Sequence, residues 1–430
     1  MSRIAHRGRI AHMLRDPGST GDANAIAYFA DGCLLVENGL IVACDHWDKI
    51  SPDADNWQII NHKDALILPG FVDTHVHYPQ SDIIGGYGEH LMHWLKNYAF
   101  PVEQKIGTDP EYAANVAEFF IEQSLANGTT SALVFATVHQ HSVDAIFEAA
   151  LTKNMRLTAG KVLMDRNAPE DLCETVEQGN NETKQLIEKW HGKGRLGYAI
   201  TPRFAPTSTM QQLSTAGELL HDYQQVLMHT HLSENEKEIE LVGELFPDCD
   251  DYLAVYEKAG LLCERSVFAH CVHLSASEQD RIAKAGASIA FCPTSNLFLG
   301  SGLFDLRAAR NYGINVGLGT DIGAGTSFSM LSTQMEAYKV GQLQDDSLHP
   351  FEALYLATLG GAKALHIDSK VGNFASGKEA DFVVLDLKAT KMLERRTIGD
   401  PDIRELLFVL SVLGSSAIVR QTWLAGQRVV

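Results

Sequence analysis

The chain has 430 residues, 45% of them hydrophobic and 21% charged, which are values of a globular rather than a disordered protein. That length exceeds one ordinary domain and points to a large domain with a smaller companion. With 35 basic against 54 acidic residues the formal charge is −19. A field of that sign repels phosphate backbones and anionic membranes, so the expected partner is a small neutral or weakly charged molecule rather than nucleic acid or lipid. The seven cysteines are scattered, with no Cys-x-x-Cys pair, and do not form a disulfide framework or a thiolate zinc site. Residues 1–15 carry basic side chains without an apolar stretch, unlike a secretory signal, and no run of 18 apolar residues occurs. A soluble protein of a reducing compartment, the cytoplasm, is expected.

In chain order, short strands are expected at 25–29, 33–37 and 40–44, broken by Asp31-Gly32 and Asn38-Gly39, which are strong hairpin signals between apolar runs. From Leu68 to about Val371 strands and helices alternate. The first strand of this region is expected at 67–74. A helix follows over 111–127, where Val116, Phe119, Phe120 and Gln123 recur by threes and fours and Gly128 suits the position just past its end. Further strands are expected at 131–135, 156–162, 196–201, 225–231, 267–270, 288–292 and 315–319. Eight strands, each followed by a loop or helix, fit a (β/α)8 TIM-type barrel over 68–371. An open doubly wound sheet is the alternative. It would carry a glycine-rich phosphate turn after strand one, where this chain has His75 and His77. Strands at 381–387 and 417–424 close the chain. Neither end can bury a core alone, so 1–67 and 372–430 are expected to pair into one small β-sandwich domain.

The chemistry concentrates at the strand ends. In Pro69-Gly70-Phe71-Val72-Asp73-Thr74-His75-Val76-His77 an apolar run ends in two histidines spaced i, i+2, which share one face of a strand. The same pattern returns at His229-Thr230-His231, at His270, and at Asp321, which ends Val316-Gly317-Leu318-Gly319-Thr320-Asp321. Nitrogen and oxygen ligands from several strand ends describe a catalytic zinc site better than a structural one, and a barrel gathers its reacting groups there. Zinc at such a site supplies an activated water near neutral pH, and Asp321 could accept its proton. Glu234, three residues past His231, suits a proton shuttle, or else a helix-start carboxylate, since 234–240 is acidic and helix-forming. Arg203 follows the fourth strand, as a substrate grip or as a salt bridge on the barrel rim.

Other residues invite less. His229 lies one layer deeper than His231 and is expected to be structural. His139, His141 and His273 lie in loops, and Cys271 and Cys292 lack a base partner for nucleophilic chemistry.

With Tyr78-Pro79-Gln80, Phe100-Pro101-Val102-Glu103, Gly128-Thr129-Thr130, Thr201-Pro202-Arg203-Phe204, His231-Leu232-Ser233-Glu234-Asn235, Cys292-Pro293-Thr294-Ser295-Asn296 and Gly319-Thr320-Asp321-Ile322-Gly323-Ala324-Gly325, the chain resembles the amidohydrolase superfamily. Within it, the motifs look like those of the mononuclear zinc branch that deaminates guanine. They run from Leu68 to about Met330 and are together highly specific. The resemblance implies one zinc ion per chain, held by His75, His77, His231 and Asp321. It implies that His270 bonds to the attacking water or the developing oxygen and that Glu234 carries protons to the ring and the departing amine. Gln80 and Arg203 would grip the guanine edge, Arg203 at the ring carbonyl, with Phe204 packed on the ring and His231, Glu234 and Asp321 also bordering the substrate. Lys161 ends strand three, whereas the carbamylated lysine of dinuclear relatives follows strand four, so a two-metal centre is not expected. The implied reaction is hydrolytic deamination of guanine to xanthine and ammonia. A related deaminase acting on an oxidised guanine, a pterin or a nucleoside is the alternative, and a non-catalytic scaffold on the same fold a more distant one. The other zinc deaminase architecture needs His-x-Glu with Pro-Cys-x-x-Cys, which is absent. A homodimer is the expected assembly.

Overall fold

The computed structural model describes residues 2–430; Met1, the first residue of the expected small domain, lies outside them. Its strands in chain order are β1 (Arg3–Met13), β2 (Ile26–Glu37), β3 (Leu40–His46), β4 (Gln58–Pro69), β5 (Phe71–His77), β6 (Thr129–Phe135), β7 (Arg156–Gly160), β8 (Val162–Leu163), β9 (Leu196–Pro202), β10 (Leu227–Leu232), β11 (Ser266–His270), β12 (Ser288–Phe291), β13 (Asn315–Leu318), β14 (Phe382–Asp386), β15 (Val419–Leu424) and β16 (Gln427–Arg428). Two compact units emerge, one of Met1–Asp73, Glu122–Ser131 and Phe328–Val430, the other of Thr74–Ile121 and Ala132–Ser327.

In the first unit the two chain ends pair, as expected, into one seven-stranded sheet of order β16-β15-β14-β4-β1-β2-β3. β4 is the seam, parallel to β1 on one side and antiparallel to β14 on the other. Ile10, Leu34, Ile67, Phe382 and Trp423 form one buried cluster against this sheet. Two expectations fail here. Asp31-Gly32 does not turn the chain, because β2 continues through it, with Gly32 opposite Gly8 of β1 and a register shift between Gly8 and Ile10. A side chain at Gly32 would meet Phe29 Cβ at 2.8 Å and Ile10 Cδ1 at 3.0 Å, so glycine serves close packing rather than a hairpin. The expected strand over 67–74 is likewise two strands. Leu66 to Pro69 pair with β14, and Gly70 separates them from β5. A Cβ on Gly70 would lie 2.1 Å from Thr130 Oγ1, which explains glycine at that break.

The second sheet follows β13-β12-β11-β10-β9-β7-β6-β5, with β8 added on β9, and neighbouring strands from β7 to β13 run parallel wherever a register is defined. The segment after β13 returns to β5: Asp321 N–H donates to His75 O at 2.9 Å, and His77 N–H to Ile322 O at 2.9 Å. These bonds bring the ring of parallel strands nearly to closure, the TIM-type barrel expected from the alternating pattern. Gly319 makes the approach possible, since a Cβ there would sit 2.9 Å from His75 Cβ and 3.0 Å from Cys292 Sγ.

Candidate active site

β5 ends in His75 and His77, both buried and directed to one face by the two-residue strand period. Asp321 Oδ1 lies 3.2 Å from His75 Nε2 and 3.5 Å from His77 Nε2. From β10, His231 brings its Nε2 to 3.2 Å from His77 Nε2, while its Nδ1 lies 2.7 Å from the Arg203 carbonyl oxygen. That carbonyl takes the Nδ1 proton, so the Nε2 lone pair faces inward. The ligand atoms of His75, His77 and His231 all lie within 4.8 Å of one another. Burial holds all three imidazoles well below their ordinary pKa, helped by His270 beside His75 and by His75 beside His77 and His231. Neutral nitrogens pointing at one another beside a carboxylate form a donor set that fits a divalent transition metal.

An overlapping group joins His75 and Asp321 to His270 and Cys292. The Cys292 thiol donates to Ala290 O at 3.4 Å, so the imidazole set with Asp321 is the better match for a metal. His229 stands one layer deeper than His231, with its Nε2 2.8 Å from His75 Nδ1. It touches the cluster from behind.

His270, from the end of β11, is oriented by Asn296, whose Oδ1 lies 2.8 Å from its Nδ1. Its Nε2 is buried without a hydrogen-bond partner, 3.5 Å from Glu234 Oε2 and 3.8 Å from Asp321 Oδ2. Glu234 is buried and accepts a hydrogen bond from Ser301 Oγ at 2.9 Å on its other oxygen. Burial raises its pKa above the ordinary value, against the pull of His270. It is not the helix-start carboxylate. The helix Glu236–Leu245 is capped by Asn235, and the reciprocal capping carboxylate is Glu238. Glu238 also accepts the Glu234 backbone N–H at 3.0 Å.

The local backbone is held in costly conformations. Ser233, His270, Cys271 and Asp321 have φ of 50°, 70°, 54° and 50°, a left-handed region that costs a non-glycine residue on the order of 1 kcal/mol or more. Tertiary bonds hold two of them, Cys271 N–H to Leu232 O and Asp321 N–H to His75 O, each at 2.9 Å.

One cavity gathers the groups: it is lined by His77, His231, His270, Asp321 and Glu234, by Gln80, Arg203 and Phe204, and by apolar Leu91, Trp94, Leu95 and Leu299. Arg203 is 2% exposed, which rules out a rim charge. Its Nη1 donates to both oxygens of Glu103, at 2.9 and 2.7 Å. Of the histidines expected in loops, His139 contacts Thr137 Oγ1 at 3.1 Å, whereas His141 lies in the first turn of the helix Gln140–Lys153 and donates to Ile106 O at 2.8 Å. His273 bonds to Ser301 O at 2.7 Å. Lys161 is fully buried between Glu174 and Glu182. Ser301 and Trp94 lie outside the sequence motifs, and Glu103, which ends the motif Phe100-Pro101-Val102-Glu103, takes no site role from it. For Glu103 a signal exists: a carboxylate three residues after Phe100, sharing its helix face.

With this geometry in hand, comparison with known proteins is direct. A model described as the amidohydrolase family matches residues 66–429. The chain belongs to the amidohydrolase family. Among amidohydrolase relatives it is similar to the guanine deaminase of Escherichia coli K12, 51% identical over 408 residues that cover 95% of this chain and 93% of that one. It is 39% identical to a probable guanine deaminase of Deinococcus radiodurans over 432 residues, covering 98% and 97% of the two chains. The crystal structure of guanine deaminase from C. acetobutylicum, with bound guanine in the active site, matches with a TM-score of 0.91 at 30% identity and covers 100% of both chains.

Proposed function

We propose that this amidohydrolase deaminates guanine to xanthine and ammonia by hydrolysis, with one zinc ion held by His75, His77, His231 and Asp321. The observation that carries the reading is the one cavity lined together by His77, His231 and Asp321 of this donor cluster, by the buried Glu234 and by Arg203. Guanine deaminases that resemble it over nearly the whole chain support the substrate. When bound, the metal supplies a Lewis acid that activates water near neutral pH.

The chain's own residues do the rest. Glu234, raised in pKa by burial, holds a proton more readily than an ordinary carboxyl and can pass it to the purine ring. His270 lies 3.5 Å from Glu234 and donates toward the oxygen that develops at C2. Asp321, besides ligating, accepts the proton of the attacking water. That proton passes by way of Glu234 to the departing amine, and the proton of the C2 hydroxyl then returns to Glu234 as the carbonyl forms. Arg203 and Gln80 bind the guanine edge, and Phe204 packs on the ring. Arginine carries donors only, so Arg203 suits the C6 carbonyl of guanine and meets the C6 amine of adenine donor to donor. All seven cysteines are free, which fits a cytoplasmic enzyme of purine breakdown.

The test is an absorbance assay over guanine, adenine, 8-oxoguanine and a pterin, with metal content measured on the same preparation. Guanine should be turned over with about one zinc per chain. Adenine should be rejected by about 10⁴-fold or more, as polar sites reject a mismatched analogue. A higher specificity constant for another ring would replace guanine with that substrate, and turnover of none would refute the reading.

A further inference from the structure

Glu103 has no part in the scheme above, yet it is the anion on which both substrate-gripping groups converge. It is 1% exposed, in the helix Phe100–Thr108. Arg203 Nη1 donates to both of its oxygens, at 2.9 and 2.7 Å, and Gln80 Nε2 donates to Oε1 at 3.2 Å. Gln80 Oε1 in turn accepts the Gly323 N–H at 3.2 Å, which fixes the sense of the amide. Phe100, one helical turn before Glu103, lies under the guanidinium with its ring centre 5.4 Å from Arg203 Cζ. One helix face therefore holds Arg203 by charge and by ring.

The geometry of the pair matters. Arginine commonly meets a carboxylate through two nitrogens in a parallel fork. Here one nitrogen serves both oxygens, so Nη2 and Nε are not committed to Glu103. Arg203 and Gln80 line the cavity, with Glu103 behind them. A buried guanidinium without a counter-charge would be expensive, and a long, flexible side chain would have to be ordered afresh at each binding event. Glu103 removes both costs before the substrate arrives.

We propose that Glu103 is a positioning residue for substrate recognition, holding Arg203 and Gln80 as one preset donor pair. This rests on the assignment of Arg203 as a substrate-gripping group. If it is right, Glu103 acts on guanine only through the residues it holds, and most of its effect disappears when Arg203 is gone, leaving only the part exerted through the single bond to Gln80.

A double-mutant cycle tests this. The kcat/KM for guanine, the melting temperature and the metal content are measured for the wild type, Glu103→Gln, Arg203→Ala and the double variant. Glu103→Gln should lose at least about 30-fold in kcat/KM, the scale of truncating one member of a buried charge pair, with its metal retained. The double variant should lie within about 3-fold of Arg203→Ala, since residues acting as a unit are not additive. Losses that multiply would overturn the proposal, as would a Glu103→Gln enzyme within about 3-fold of the wild type. An Arg203→Ala enzyme of normal activity would sink the substrate assignment itself, a different result from failure of Glu103 alone. Should Glu103→Gln not fold, Glu103→Asp keeps the charge on an arm one methylene shorter. It goes through the same cycle, and multiplying losses or near-normal activity would overturn the proposal there too.

Discussion

His229 and His75 form a buried pair in which one imidazole steers the other: His229 Nε2 lies 2.8 Å from His75 Nδ1, and both rings are fully buried. With the shared proton on His75 Nδ1 and His229 Nε2 accepting it, the His75 Nε2 lone pair is left to face Asp321 at 3.2 Å. Outer partners of metal-binding histidines typically contribute about 10- to 100-fold in affinity. His229→Ala is therefore expected to weaken metal binding by that factor, measured by competition with a chelator, while excess metal restores most of the turnover. Unchanged affinity would make His229 an ordinary core residue.

A second prediction concerns Glu234 and its donor Ser301. Glu234→Gln keeps the shape but loses the transferable proton, so turnover should fall by about 10²- to 10⁴-fold with metal retained. Ser301 Oγ donates to Glu234 Oε1 at 2.9 Å, a bond that favours the charged form and opposes the upward push of burial. Ser301→Ala removes that support, so the carboxyl should rise further. A limb of the pH–rate profile that needs ionised Glu234 then moves to higher pH. A limb that stays in place would separate that limb from Glu234.

Much of this site is legible because a barrel strand announces its own end. The apolar runs before His75, His231, His270 and Asp321 are fully or nearly fully buried strands, and the first polar residues after each run sit at the mouth. What does not show are relationships across long sequence separations. Glu103 meets Arg203 from 100 positions away, and no local pattern encodes that pairing. β1 escapes a pattern reading because His6, Arg7, Arg9 and His12 interrupt its apolar alternation, although the two histidines are buried. Asp31-Gly32 misleads because packing against Ile10 and Phe29, not a turn, selects glycine at position 32.

Gly319 yields a prediction about closure of the ring. A Cβ there would meet His75 Cβ at 2.9 Å, and Cys292 Sγ and His75 O at 3.0 Å each. None of these can give way without moving β5 or a candidate ligand. Gly319→Ala is expected to cost about 1–3 kcal/mol in stability, the usual scale of overpacking, and to weaken metal binding together with turnover. Calorimetry and metal analysis on one preparation would check both. An alanine enzyme with wild-type stability and metal affinity would mean that β5 yields more readily than a packed strand should.

The last prediction concerns acid stability and lies in the seven-stranded sheet. His6 is buried, with its Nδ1 3.0 Å from His62 Nε2 and its ring edge-on to Phe382 and Trp423 at 4.8 and 4.6 Å. Burial, then the neighbouring His62, pushes His6 down to about 3. Burial likewise pushes His62 and His12 down to about 4, with Arg420 and Lys378 as the respective charged neighbours lowering them further. In the unfolded chain all three titrate near 6.5. Above that pH both states are neutral at these sites and their contribution to stability is complete. As the pH falls below 6.5 the unfolded chain takes up protons that the folded sheet refuses, so stability declines steadily toward about pH 4. The melting temperature should thus drop by several degrees between pH 7 and pH 5. His6→Phe places a ring that does not titrate in the same aromatic cluster and should make that decline shallower. If wild type and variant lose stability in parallel over this range, His6 is not among the groups that resist protonation, and the acid sensitivity lies elsewhere.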